Sequence, residues 1–220
     1  MEDNSRKSGV RASIEIIRRI SSRIITAEEI QDLLAQYPSD KRLISVLLTK
    51  PEFPQHNVMS VLSKMYSVEL LKIAQAPRTA PFVRQKAEIL LIERFRQMQR
   101  GEQISALKIM GPGLLKQFVQ TTDIQLVSAI LGNPRCTEEV VMEMLRRKGT
   151  GTAVYQALMQ SRWITNLSVA DHLAADPQTP IRCMLAVIPL LPMGTLRKIS
   201  GSSRMHGNVR EAVEKRLKRR

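Results

Sequence analysis

Apolar residues recur along this chain at three- and four-residue intervals, in short stretches fenced by proline, glycine or a capping residue. Residues 11–20 carry Ile14, Ile17 and Ile20 on one stripe, the spacing of an amphipathic helix. Thr26 with Glu29 three residues on forms a capping box and opens a second helix that Tyr37-Pro38-Ser39 ends. Leu43, Ile44, Leu47 and Leu48 mark a third, stopped at Lys50-Pro51. Further on, Gly111-Pro112-Gly113 stops one helix and restarts another, and Thr122 with Gln125 is a second candidate capping box. Asn133-Pro134 turns into a stretch bearing Val140, Val141, Met144 and Leu145, and Gly149-Thr150-Gly151 closes it. The pattern predicts an all-α chain of about fifteen short helices, with no strand-like alternation.

The apolar pattern also repeats. Residues 51–91 laid on residues 177–217, at an offset of 126 without a gap, match at 11 of 41 positions: Pro51/Pro177, Pro54/Pro180, Val61/Val187, Leu70/Leu196, Lys72/Lys198, Ile73/Ile199, Arg78/Arg204, Val83/Val209, Arg84/Arg210, Glu88/Glu214 and Leu91/Leu217. Each copy reads as three helices. Pro54 and Pro180 stand where a first helical residue belongs, with Thr179 as a candidate N-cap, and the third helix starts near Pro81 or Gly207. Pro189 and Pro192 should shorten the first helix of the later copy. A fainter third copy begins at Asn133-Pro134, giving a spacing near 42 residues. Such spacing belongs to helical solenoids, whose units bury their apolar faces only against neighbours. Leu70, Ile73, Leu91, Leu196, Ile199 and Leu217 are the expected inter-layer core.

The third helix of each copy reads Val83-Arg84-x-x-Ala87-x-x-x-Leu91 and Val209-Arg210-x-x-Val213-x-x-x-Leu217. This resembles the inner-helix signature of HEAT repeats. The turns Asn133-Pro134-x-x-Thr137 and Asp176-Pro177-x-Thr179-Pro180 are similar to those of bacterial HEAT-like and leucine-rich-repeat-variant solenoids. The resemblance implies a right-handed superhelix of HEAT/ARM-like repeats over residues 24–220, preceded by a basic segment, residues 1–23. It also implies a curved, non-enzymatic binding surface.

Composition narrows the class. With 43% apolar but only 4% aromatic residues, the core must be Leu, Ile, Val, Ala and Met, a palette that suits helices. No apolar run is long enough to span a bilayer, and the polar first residues lead into no stretch of signal-peptide type. Cys136 and Cys183, two thiols at the starts of apolar helices, suit a reducing cytoplasm. The net charge of +14 is unevenly spread: residues 72–108 and 204–220 each carry +5, whereas residues 109–176 are neutral. A surplus placed this way favours acidic proteins or polyanions, against the plainer reading that Lys and Arg solvate outer helix faces.

Nothing in the sequence assembles a reaction. His56, His172 and His206 have no cysteine or carboxylate at ligand spacing, and the Glu28-Glu29 and Glu138-Glu139 pairs fall in first helical turns, where they complement the dipole. Neither glycine cluster has the Lys-Ser/Thr of a phosphate loop. No cofactor, metal site or enzymatic activity is expected. Trp163, the one tryptophan, either plugs a gap between helix pairs or stacks on a base, as a base-excision enzyme on a similar scaffold would require.

The constellation that stands out is Lys72, Arg78 and Arg84, matched by Lys198, Arg204 and Arg210 at the same offset. Arg84 and Arg210, inside the repeat signature, suit bracing between neighbours; the other four lie near helix ends and are freer to meet a ligand. The chain therefore reads as a cytoplasmic interaction module for an acidic protein partner, with sequence-independent binding of a nucleic-acid backbone as the second reading.

Overall fold

The computed structural model describes residues 14–147, 150–201 and 206–218. Among these the chain is all-helical, with fifteen α-helices and no β-strand. It divides into two compact units, residues 1–98 and 99–220.

The first unit holds α1 (residues 14–21), α2 (Ala27–Gln36), α3 (Lys41–Leu47), the 3₁₀ turn η1 (Gln55–Asn57), α4 (Val58–Leu62), α5 (Ser67–Gln75) and α6 (Pro81–Phe95). Local chemistry sets these bounds. The Thr26 hydroxyl accepts from the Glu29 amide at 3.2 Å and the Glu29 carboxylate from the Thr26 amide at 3.1 Å, the reciprocal box that starts α2. Asp40 starts α3 by accepting from two amides. Proline opens α6 at its first position, where a missing N–H costs nothing. Ile20, Leu43, Leu47, Leu62, Leu70, Val83 and Leu91 are sealed inside. Ile14, expected on the buried stripe of α1, is exposed.

The second unit holds α7 (Arg100–Ile109), α8 (Pro112–Lys116), α9 (Ile124–Leu131), α10 (Glu138–Leu145), α11 (Thr152–Met159), the 3₁₀ turn η2 (Arg162–Thr165), α12 (Leu167–Ala175), α13 (Ile181–Val187), η3 (Ile188–Leu190), α14 (Met193–Ser200) and α15 (Gly207–Lys218). Within it, each helix packs on the one two places along: α7 on α9, α9 on α11, α11 on α13 and α13 on α15, with α8, α10, α12 and α14 forming a second row. Neighbours in a row begin 24 to 29 residues apart. The 43-residue step from Pro134 to Pro177 is therefore not a structural repeat. The first of these turns leads from the α7 row to the α8 row, and the second leads back.

The 126-residue offset is kept closely. α3 and α12, η1 and α13, α5 and α14, and α6 and α15 each begin 126 residues apart. Contacts recur too, since α4 packs on α6 as α13 packs on α15, and α5 on α6 as α14 on α15. Buried residues fall in register: Leu43/Val169, Ile44/Ala170, Leu47/Leu173, Leu62/Ile188, Met65/Leu191, Leu70/Leu196, Val83/Val209 and Ala87/Val213. The correspondence thus reaches back to Lys41, beyond the stretch where sequence identity is visible.

Three local expectations are corrected. The N-cap of α9 is Asp123, whose carboxylate accepts from the Gln125 and Leu126 amides, in place of Thr122. Pro54 and Pro180 occupy the cap positions of η1 and α13, one residue before the first helical turn, and Thr179 does not cap. Ile199 and Leu217, expected in the inter-layer core, are only half-buried, unlike their partners Ile73 and Leu91.

Candidate partner-binding groove in the second unit

The structure sorts the basic side chains by what they touch. Several arginines are committed to backbone carbonyls. Arg94, near the end of α6, donates to the Met65 and Ser63 carbonyls beyond α4. Arg147 donates to the Val119 carbonyl at 2.9 Å, and Arg162 reaches the Asn133 and Cys136 carbonyls at 3.4 and 3.3 Å. The Ser63, Met65 and Val119 carbonyls lie past helix C-termini, where carbonyls have no intrahelical partner and carry the negative end of the dipole, so a guanidinium suits them; the Arg162 contacts instead tie down the turn between α9 and α10. Others pair with carboxylates: Lys116 with Glu139 at 2.6 Å, Arg100 with Asp123, and Lys41 with Glu69 at 3.7 Å.

The sequence-selected cations behave differently. Lys72 on α5, Arg78 in the α5–α6 turn, Lys198 on α14 and Arg210 on α15 are exposed, and none makes an ion pair among the described residues. Arg84 is half-buried on α6, and its Nε lies out of solvent with no hydrogen-bond partner. The repeat signature suggested bracing for Arg84 and Arg210; among the described residues the arginine-to-carbonyl braces are made by Arg94, Arg147 and Arg162. Arg204 lies outside the described residues. Lys72, Arg78 and Arg84 belong to the first unit, and Lys198 and Arg210 to the second.

Lys198 stands at the edge of a groove of about 650 Å³ among α12, α13, α14 and α15. Ala174, Ile181, Met184, Ile199 and Val209 give it apolar walls, and Asp176, Thr195, Lys198 and His206 give it polar edges; Thr179 also lines it, but its hydroxyl oxygen is buried without a hydrogen-bond partner. The Asp176 carboxylate is already engaged, accepting from the Gln178 amide at 2.9 Å and the Tyr155 hydroxyl at 3.3 Å. Burial, followed by the neighbouring Asp176 charge, pushes the Tyr155 hydroxyl up to about 12, so it stays a donor to that carboxylate. Thr195 donates to Asp171 at 3.3 Å. Among the described residues Lys198 makes no ion pair.

Sequence reading missed this groove, although the duplication carries its signal. At the same offset, Ala174 corresponds to Leu48, Thr179 to Phe53, Met184 to Val58, Ile199 to Ile73 and Val209 to Val83. In the first unit all five are buried, Phe53 at 2% and Leu48 at 0% exposure. Where the first copy buries a phenyl ring and an isobutyl group, the second has a hydroxyl and a methyl.

The remaining candidates resolve into structure. Trp163 is buried and donates its indole N–H to the Leu131 carbonyl at 3.0 Å, while the Arg162 guanidinium lies 5.0 Å from its ring centre. Cys136 and Cys183 are free and buried, and burial pushes the Cys136 thiol up to about 11. Among the described residues no group of three or more His, Cys, Asp or Glu is placed to hold a metal ion, and no helix is long and apolar enough to cross a membrane. No protein-family model matches the chain, and neither a curated protein nor a solved structure resembles it significantly.

Proposed function

We propose that this chain is a non-catalytic helical-repeat interaction module of the HEAT/ARM-like, leucine-rich-repeat-variant kind, right-handed in its stacking, that binds an acidic protein partner in the cytoplasm. One observation carries the reading: Lys72, Arg78, Lys198 and Arg210 are exposed and without ion pairs among the described residues, while Arg94, Arg147 and Arg162 are spent on carbonyls. Packing each helix on the one two places along, as in the second unit, supports a repeat scaffold. Such scaffolds offer side chains from successive helices to one ligand, and the surplus of cations selects one with carboxylates.

The same cations suit a nucleic-acid backbone, and their recurrence as Lys72 and Lys198 favours that as the second reading. Fluorescence anisotropy separates the two. A labelled glutamate-rich peptide should bind at low salt and lose binding when Lys72, Arg78, Lys198 and Arg210 are changed to Gln, whereas a labelled duplex should not bind. Duplex binding whose logarithmic salt slope falls by about 0.9 for each phosphate contact removed would replace the protein-partner reading.

A further inference from the structure

The groove among α12–α15 is the place where one copy of a duplicated unit lacks what the other supplies from its own chain. In the first unit the corresponding positions are filled: Phe53, in the connection after α3, and Leu48, at the end of that helix, are both buried. In the second unit the matching helices begin at the same offset and keep the matching core, yet among the described residues a groove of about 650 Å³ lies beside Thr179 and Ala174. Exposed apolar groups line it, Ile181 at 38% among them. An apolar hollow of this size is a site for a side chain, because filling it removes both walls and ligand from water.

We propose that the groove receives a phenylalanine from an acidic segment of a partner protein, which plugs the second unit from outside as Phe53 plugs the first from within. This rests on the protein-partner reading above and names the contact by which that partner is recognised. Two observations select the occupant. The shape is that of a junction where this same fold buries a phenyl ring. The charge is that of Lys198, which is exposed and makes no ion pair among the described residues, while the Asp176 carboxylate, also at the rim, accepts hydrogen bonds from Tyr155 and Gln178. Interface hot spots are commonly large anchor side chains seated in well-packed, desolvated pockets. Phe53 is itself preceded by Glu52, the kind of neighbour that would place a carboxylate near Lys198 in the second unit.

The test uses the full chain and two labelled peptides, each a run of glutamates with one central residue, phenylalanine in one and alanine in the other. The phenylalanine peptide should bind about tenfold or more tightly than the alanine peptide. Thr179→Phe, which moves the first copy's plug into the second, should raise the thermal midpoint and erase that difference while leaving weak, charge-driven binding of both peptides. Ile181→Asp, at an already exposed wall position, should erase the difference without a gain in stability. Equal binding of the two peptides by the unaltered chain overturns the groove proposal and leaves the acidic-partner reading standing. Binding of neither overturns both. A lower thermal midpoint for Thr179→Phe shows that the space is not free and overturns the proposal, as does concentration-dependent dimerisation that Ile181→Asp abolishes, which assigns the groove to a second copy of the chain.

Discussion

The side-chain amide of Asn133, at 0% exposure, donates to the Leu107 carbonyl at 2.6 Å, joining the turn after α9 to the end of α7. The same nitrogen donates to the Met110 carbonyl at 2.9 Å, and its oxygen accepts from the Arg135 amide at 2.6 Å. One buried side chain thus satisfies three backbone groups that neither helix can pair internally.

Asn133→Ala should therefore cost about 2–4 kcal/mol, because it leaves buried carbonyls without donors. Asn133→Asp should cost more at neutral pH, since it sets a carboxylate against two carbonyl oxygens, and the excess should shrink as the solution is acidified and the carboxyl protonates. Urea denaturation at two pH values reads both effects. A loss below about 0.5 kcal/mol for the alanine variant would show that Asn133 is not a brace.

Equivalent positions should differ where the copies differ. Leu70→Ala and Leu196→Ala, both at fully buried sites, should each cost about 2–5 kcal/mol. Ile73→Ala should fall in the same range, whereas Ile199→Ala should cost clearly less, because Ile199 lines the groove and already meets solvent. Equal losses for the last pair, measured by chemical denaturation, would mean that the groove is closed in solution.

The division of the basic residues is open to the same measurement. Arg94→Ala should cost about 1.5–3 kcal/mol, the worth of charge-assisted hydrogen bonds to two otherwise unpaired carbonyls, and Arg94→Lys should recover only part of it because the fork is lost. Lys72→Ala, at an exposed and unpaired position, should stay within about 0.5 kcal/mol of the unaltered chain. Arg84→Met should be neutral or stabilising, since it replaces a partnerless buried nitrogen by apolar volume.

Stability should fall in alkali. Burial raises the Cys136 thiol from 9.0 to about 11, and burial with Asp176 raises Tyr155 from 10.0 to about 12. Both groups are neutral acids held above their unfolded values, so their contribution is complete below the unfolded value. It is lost as pH rises toward the folded one, from about 9 to 11 for the thiol and about 10 to 12 for the phenol. Denaturation midpoints should decline through that window. Cys136→Ala should flatten the part between about pH 9 and 10, where the tyrosine is still protonated in both states. A decline there unchanged by the substitution would place its cause elsewhere.

The order and limits of the helices, and the register of the duplication, are written in local chemistry and were legible along the chain. Several helix starts rest on groups within a few residues of one another: Thr26 with Glu29, Asp40 with two amides, Pro81 and Gly207 at matching places. The 126-residue offset survives because identical apolar positions, such as Val83 and Val209, hold matching helices in matching packing. Where two local acceptors competed, as Thr122 and Asp123 did before α9, sequence order did not say which would cap. Which cations are spent and which are free emerged only from packing, because that depends on whose carbonyls lie beside them. Arg94 and Arg162 meet backbone carbonyls some 26 to 31 residues earlier in the chain, while Lys72 and Lys198 meet solvent. The groove likewise emerged only from packing, since a hollow belongs to no residue. It exists where Thr179 and Ala174 stand in place of Phe53 and Leu48, and volume between helices is set only once those helices have packed.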